Sequence, residues 1–147
     1  YTYSGHPVAC AVALANIGLV RSLKLVERVH DDVGPYLAEC FASLREHPLV
    51  GDAETCGLMG ALLLVMHKGA NPEDTLPFDP AVEIGMVCRG HCFTNGLIMR
   101  AVGDRMIIAP PLVITRAQID EMMVLIRRCL DLTLADAQRQ GWLRGKR

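Results

Sequence analysis

Lysine is scarce in this sequence: only Lys24, Lys68 and Lys146 occur among 147 residues. Net charge is lacking too. Fifteen Lys and Arg stand against sixteen Asp and Glu, leaving a formal charge of −1. That balance gives no electrostatic reason to expect nucleic acid or an anionic membrane surface as a partner. No apolar run approaches the roughly 18 residues that a membrane-spanning helix needs. The basic Arg144-Gly145-Lys146-Arg147 end reads as a solvated tail.

Metal and nucleophile patterns are also missing. Six cysteines occur, Cys10, Cys40, Cys56, Cys88, Cys92 and Cys129, and no two form a CxxC pair. Most fall on apolar faces of predicted helices or strands, so reduced, buried thiols of a cytoplasmic protein are expected. Cys88 and Cys92 are spaced i, i+4, but His91 points off their shared face. His6, His30, His47, His67 and His91 form no ligand pattern, and neither they nor Ser4 have an acidic partner at triad spacing. No metal site is expected.

What the sequence has in abundance is apolar surface. Half of its residues are hydrophobic and the mean hydropathy is positive, which implies surface meant to be covered. The first residue already lies inside a motif, Tyr1-Thr2-Tyr3-Ser4-Gly5-His6-Pro7, with no Met before it. The chain is therefore expected to be part of something larger. Residues 8–20 are apolar almost all round, with Ala9, Ala11, Ala13, Ala15 and Gly18, and predict a helix buried on several sides. Pro7 suits its first turn, with Ser4 or His6 near the N-cap.

Apolar residues at helical spacing predict a second helix over 25–46, broken or kinked at Gly34-Pro35 and closed by His47-Pro48. Residues 50–57 and 61–66 predict two strands joined across Gly57 and Gly60, followed by a Gly/Pro-rich loop over 68–80. A third helix is predicted over 80–94, with Val82, Met86 and Phe93 buried, ending at Asn95-Gly96. Residues 97–102 and 105–109 predict a hairpin around Gly103-Asp104. Thr115 and Gln118 form a capping box that opens a last helix with Ile119, Met122, Ile126, Cys129, Leu130 and Leu134 on one face. Few, grouped strands predict an α+β fold, with helices on one face of a small, mostly antiparallel sheet.

Two segments invite a chemical reading. Thr2 and the backbone N–H groups before the first helix suit an anion, because free N–H groups and the helix dipole favour negative charge; ordinary capping by Ser4 is the plainer account. Arg100 lies inside the apolar stretch Leu97-Ile98-Met99-Arg100-Ala101-Val102. Such a charge is costly unless paired, so it marks either a ligand site or a strand end that reaches solvent or bridges Asp104.

The opening motif, continued by Val8-Ala9-Cys10-Ala11-Val12-Ala13-Leu14-Ala15-Asn16, resembles a segment of the class III aminotransferases, the ω-aminotransferase group of pyridoxal-phosphate enzymes. Ile98 to Asp104, followed by Ile107-Ile108-Ala109-Pro110-Pro111-Leu112-Val113-Ile114-Thr115, resembles the amine–pyruvate branch of that family. The resemblance covers essentially the whole chain. It implies the C-terminal portion of a homodimeric transferase of fold type I. Residues 1–24 would form an interface and connecting helix, and residues 25–147 the small domain, with the large cofactor-binding domain absent. Thr2 would hydrogen-bond the cofactor phosphate of the other subunit, with Tyr1 framing it. Arg100 would bind the substrate carboxylate and swing away for amines that lack one. The implied substrates are an amine or ω-amino acid and a keto acid such as pyruvate.

The family also needs a lysine that bonds the cofactor aldehyde and an Asp that pairs with its ring nitrogen. Both lie upstream of the matching motif, and none of the three lysines here stands in that context. No catalytic residue is therefore assigned, and the isolated chain is expected to be inactive. A truncated, non-catalytic binding or dimerisation module is the alternative.

Overall fold

A computed structural model describes residues 4–143. Helix α1 (Pro7–Ser22) is followed by the short α2 (Leu25–Arg28). Between them Lys24 adopts a left-handed conformation, φ 48°, which non-glycine residues seldom take. The helical path bends there by 52°. His6 occupies the N-cap of α1 with no side-chain hydrogen bond, and Pro7 opens its first turn. None of the residues of α1 is buried among the described residues; Val8, Val12, Leu14 and Leu19 are each more than half exposed. The predicted helix is present, but the burial expected from its composition is not supplied by the other described residues. No single described helix is long and apolar enough to cross a membrane.

The second helix does not break at Gly34-Pro35. It widens instead: a π-helical turn over Val29–Val33 leads directly into α3 (Gly34–Ala42), and a 3₁₀ turn over Ser43–Glu46 ends the path. The Gly34 N–H donates to the Val29 carbonyl, five residues back. Pro35 has no N–H and its ring crowds the preceding turn, so the wider turn absorbs the misfit. Gly34 is required there, because a Cβ would overlap the Val29 carbonyl oxygen.

Strands β1 (Val50–Cys56) and β2 (Met59–Leu64) form the first hairpin; β3 (Arg100–Val102) and β4 (Arg105–Ile108) form the second. The four make one antiparallel sheet in the order β1-β2-β4-β3. Residues 97–99 lie outside β3, so that strand is shorter than predicted. Between the hairpins, His67 and Leu76 make an isolated bridge within the loop, and α4 (Ile84–Thr94) follows a 3₁₀ turn over Pro80–Val82. Helix α5 (Arg116–Arg139) closes the chain with both halves of the capping box formed.

One row across the sheet reads Ala53, Leu62, Met106, Ala101. It faces the helices, and Ala53, Leu62 and Met106 are buried there with Leu37 and Phe41 of α3, Ile84 of α4 and Ile119, Ile126 and Leu130 of α5. Helices thus cover one face of the sheet, as the grouped strands predict. One helix face is turned from expectation. In α4 the buried residues are Ile84, Gly85, Cys88 and Cys92, while Met86 and Phe93 are about half exposed and Val82 is only partly buried. In α5 the shift is small: Ile119, Ile126, Cys129 and Leu130 are buried as predicted, Met122 and Leu134 are partly buried against the core, and Met123 joins it. Phe93 finds a different role at the surface, under the Arg89 guanidinium 4.6 Å from its ring.

Polar clamps tie the layers together. His91 Nε2 lies 2.8 Å from Asp136, joining α4 to α5. Arg116 bonds Asp32 at 2.6 Å and stacks 4.7 Å over the Tyr36 ring. The Tyr36 hydroxyl donates to Asp120 at 2.5 Å. That acceptor pushes the phenol pKa up to about 12. Arg28 donates to the Leu112 carbonyl at 2.9 Å and to the Ile114 carbonyl, holding the loop that leads into α5.

Candidate functional site

Among the described residues no helix covers the opposite face of the sheet, and it is where Arg100 sits. Side chains alternate across a strand. Met99 is buried, and Ile98, Arg100 and Val102 are exposed. Arg100 opens the edge strand β3 with Ile107 as its cross-strand partner. The row continues through Ala61 to Glu54. A second row on the same face runs Val102, Arg105, Leu63, Asp52. This face is therefore an apolar strip, Ile107 and Ala61, ending in Arg100 and Glu54, with a second row beside it in which Arg105 stands between Val102 and Leu63.

Arg100 has no hydrogen-bond or ion-pair partner among the described residues. It does not bridge Asp104: that residue lies in the β3–β4 turn, where burial raises its carboxyl above the usual range despite the opposing Arg105. Asp52 is engaged by Arg45 at 3.1 Å and by the Ala53 N–H. Glu54 ends the Arg100 row, but three strand spacings, roughly 14 Å, separate their backbones. That is too far for a direct pair. The guanidinium is thus solvent-facing and free to take a planar anion bidentately. Beside the strip, Glu54, Cys56, Met59, Ala61 and Ile107 line a hollow of about 270 Å³.

The remaining sequence expectations resolve as follows. Tyr1 and Thr2 lie outside the described residues, as does Lys146. Lys24 is exposed at the α1–α2 bend, and the Lys68 ammonium donates to the Arg45 carbonyl. The cysteines divide. Cys88, Cys92 and Cys129 are buried, whereas Cys10 and Cys56 are exposed and Cys40 is intermediate. For Cys10 and Cys56 the burial expectation is wrong, because one lies on the uncovered helix α1 and the other at the end of an edge strand. The adjoining Cys88 thiol and burial hold the Cys92 thiol up, and burial raises Cys129. Both stay protonated as packing groups. Among the described residues no three His, Cys, Asp or Glu side chains converge as metal ligands.

Sequence reasoning singled out Arg100 but not its neighbours Ile107, Ala61 and Glu54. The two-residue turn at Gly103-Asp104 was a signal that Ile107 stands opposite Arg100; the register joining the two hairpins, which brings in Ala61 and Glu54, was not available.

Residues 1–130 match the family model for aminotransferase class-III. The chain is 54% identical over 135 residues to a putrescine–pyruvate aminotransferase of Pseudomonas aeruginosa, covering 92% of this chain and 28% of that protein. It is 33% identical to the mitochondrial gamma aminobutyrate transaminase 1 of Solanum lycopersicum, covering 88% of this chain and 24% of that one. Among solved structures it is similar to the omega-transferase of Vibrio fluvialis JS17, with TM-score 0.84, 33% identity and coverage of 94% of this chain and 31% of the other. A thermostable omega transaminase mutant from Pseudomonas jessenii superimposes with TM-score 0.80 at 33% identity, covering 90% and 28%. The chain thus spans about a quarter to a third of the length of these relatives. With its small antiparallel sheet and one-sided helices shared with transaminases, the chain belongs to the class III aminotransferase family.

Proposed function

We propose that this chain is the C-terminal part of a pyridoxal-phosphate-dependent ω-aminotransferase, and that its own contribution to the reaction is to bind the substrate carboxylate through Arg100. The observation that carries this reading is an arginine on the one uncovered sheet face, flanked by apolar groups and without an acidic partner among the described residues. The amino donor is an amine or ω-amino acid and the acceptor a keto acid such as pyruvate. Similarity to a protein described as a putrescine–pyruvate aminotransferase supports that choice. Residues 25–147 form the small domain of the enzyme. Residues 1–24 form a connecting segment whose exposed apolar helix is covered in the whole protein, by the large domain and by the second subunit of a cytoplasmic homodimer.

Pyridoxal phosphate, when bound, supplies the electron sink that the exchange needs. Lys24 is solvent-exposed and Lys68 is spent on a main-chain carbonyl, so neither suits the cofactor aldehyde. That attachment falls to the upstream part of the protein, and the isolated chain does not transaminate. A hydroxyl donor such as Thr2, beside the Tyr1 ring, fits the chemistry of a phosphate oxygen. Arg100 does two things. It pairs with the carboxylate of a keto or amino acid, and it leaves the pocket apolar when the substrate is an amine without one.

The test is Arg100→Ala in the full-length protein. Loss of a charge-assisted bidentate pair costs about 1.5–3 kcal/mol, or roughly 10- to 150-fold in kcat/KM. The loss is expected for keto acids and amino acids and not for simple amines. Equal loss for both substrate types would make Arg100 a structural residue.

A further inference from the structure

We propose that Ile107 is a positioning residue for Arg100: its side chain keeps the guanidinium unpaired and directed off the sheet, ready for a carboxylate. This deepens the reading of Arg100 given above and rests on it. Ile107 is the direct cross-strand partner of Arg100 on the uncovered face. Side chains in that relation have their Cβ atoms about 4.5–5.5 Å apart, so each is the other's nearest neighbour across the ladder.

Three features make the identity of residue 107 decisive. First, the residues two before and two after Arg100, Ile98 just ahead of β3 and Val102 at its end, are apolar and exposed. Neither offers an acceptor. Second, Arg105 stands diagonally across the ladder, as the partner of Val102. Its like charge repels a guanidinium that lies down along the sheet. Third, the nearest acid in the Arg100 row is Glu54, two strands beyond Ile107. Asp52 is held by Arg45, and Asp104 is withdrawn into the turn. Position 107 is therefore the place from which a side chain could capture Arg100 directly. An isoleucine there leaves the long methylene stem an apolar surface to lie on while its charged head stays in water.

The consequence is a division of labour. Arg100 binds the carboxylate, and Ile107 sets how much of the Arg100 population is free to do so. An acid at 107 would pair with Arg100 and compete with the substrate, as any internal ion pair does. Ile107→Glu in the full-length holoenzyme should raise KM for pyruvate at least about tenfold. The half-reaction with an amine that lacks a carboxylate, followed by cofactor absorbance in a single turnover, should change far less than the pyruvate half-reaction. Ile107→Val should behave as the parent protein. If Ile107→Glu fails to fold, Ile107→Gln offers Arg100 a neutral acceptor of similar reach, and KM for pyruvate should still rise. Unchanged pyruvate KM in Ile107→Glu or Ile107→Gln overturns the proposal, and so does an equal loss in both half-reactions. Arg100→Ala separates the two ideas. If it spares pyruvate, the carboxylate reading itself fails; if it impairs pyruvate while Ile107→Glu does not, only the role of Ile107 falls.

Discussion

Gly85 of α4 lies so close to the main-chain carbonyl of Gly103 that a Cβ on Gly85 would overlap that oxygen. The first turn of the helix is thereby pressed onto the β3–β4 turn. The Ala101 methyl lies just beyond, 3.5 Å from the same point. This contact sets the depth of the edge strand whose other face carries Arg100.

Gly85→Ala should therefore be costly. Neither partner in the clash is a flexible side-chain tip; both are backbone. Overpacking of this kind costs about 1–3 kcal/mol. The urea midpoint should fall, and the amide signals of residues 100–105 should shift most. A midpoint equal to that of the parent chain would show that helix and turn are free to separate.

Thr115 accepts a hydrogen bond from the Gln118 N–H at 3.2 Å, and the Gln118 side chain accepts from the Thr115 N–H at 2.9 Å. Thr115→Ala removes one half of that exchange. About 1 kcal/mol of stability should be lost, and Thr115→Ser should retain most of it. Chemical denaturation of the three proteins side by side decides this. No difference between Ala and Ser would mean that Arg28, bonded to the Leu112 and Ile114 carbonyls, holds the helix start unaided.

His47 makes stability depend on pH. Its Nδ1 accepts from the Leu49 N–H at 3.2 Å, and its Nε2 faces Asp131 at 3.3 Å. Neutral imidazole fits both, with the proton on Nε2. Burial lowers its pKa below the usual 6.5, outweighing the opposing pull of Asp131, and Arg127 adds to the lowering. In the window between the lowered folded value and 6.5 the unfolded chain binds more protons, so stability falls as pH drops through it. The urea midpoint should be lower at pH 5.5 than at pH 7.5, and His47→Gln should shrink that difference. His30 works in the opposite sense, because hydrogen bonding to Asp31 raises its pKa. It is fully exposed, so its share is screened. An unaltered pH dependence in His47→Gln would remove His47 from this role.

Thr2→Ala in the full-length protein should weaken cofactor retention by roughly tenfold, because a hydrogen bond to a charged phosphate is worth about 1.5 kcal/mol or more. The proposed dimer should persist by sedimentation. Cofactor loss followed by absorbance during dialysis measures the effect. Retention equal to that of the parent enzyme would remove Thr2 from the phosphate-binding role.

How much was legible in the sequence depended on the range of the cause. The capping box, the two hairpins around Gly57 and Gly103-Asp104, and the α1 helix after Pro7 are local, set by hydrogen bonds and dihedral limits within a few residues. Alternation and grouping of strands were enough for a one-sided antiparallel sheet, and two motifs were enough to suggest the family. Faces were harder. Met86 and Phe93 are as apolar as Cys88 and Cys92, so composition alone could not say which stripe of α4 meets the sheet. The close approach of Gly85 to Gly103 decided that. Likewise, Gly34-Pro35 announced a disturbance, but whether the helix breaks or widens depended on tertiary packing, which keeps Val33 and Leu37 in the core on either side of the disturbance.

The site divides along the same line. The sequence by itself determined that Arg100 is an anomalous charge in an apolar strand, since that follows from the cost of burying an unpaired guanidinium. The two-residue turn at Gly103-Asp104 already sets Ile107 opposite Arg100; only the tertiary structure decided that Arg100 escapes that cost by facing outward and that no acid among the described residues reaches it. Those facts belong to strand register. The register that joins the two hairpins, β2 on β4, comes from hydrogen bonds between segments far apart in the chain, and no run of neighbouring residues encodes it.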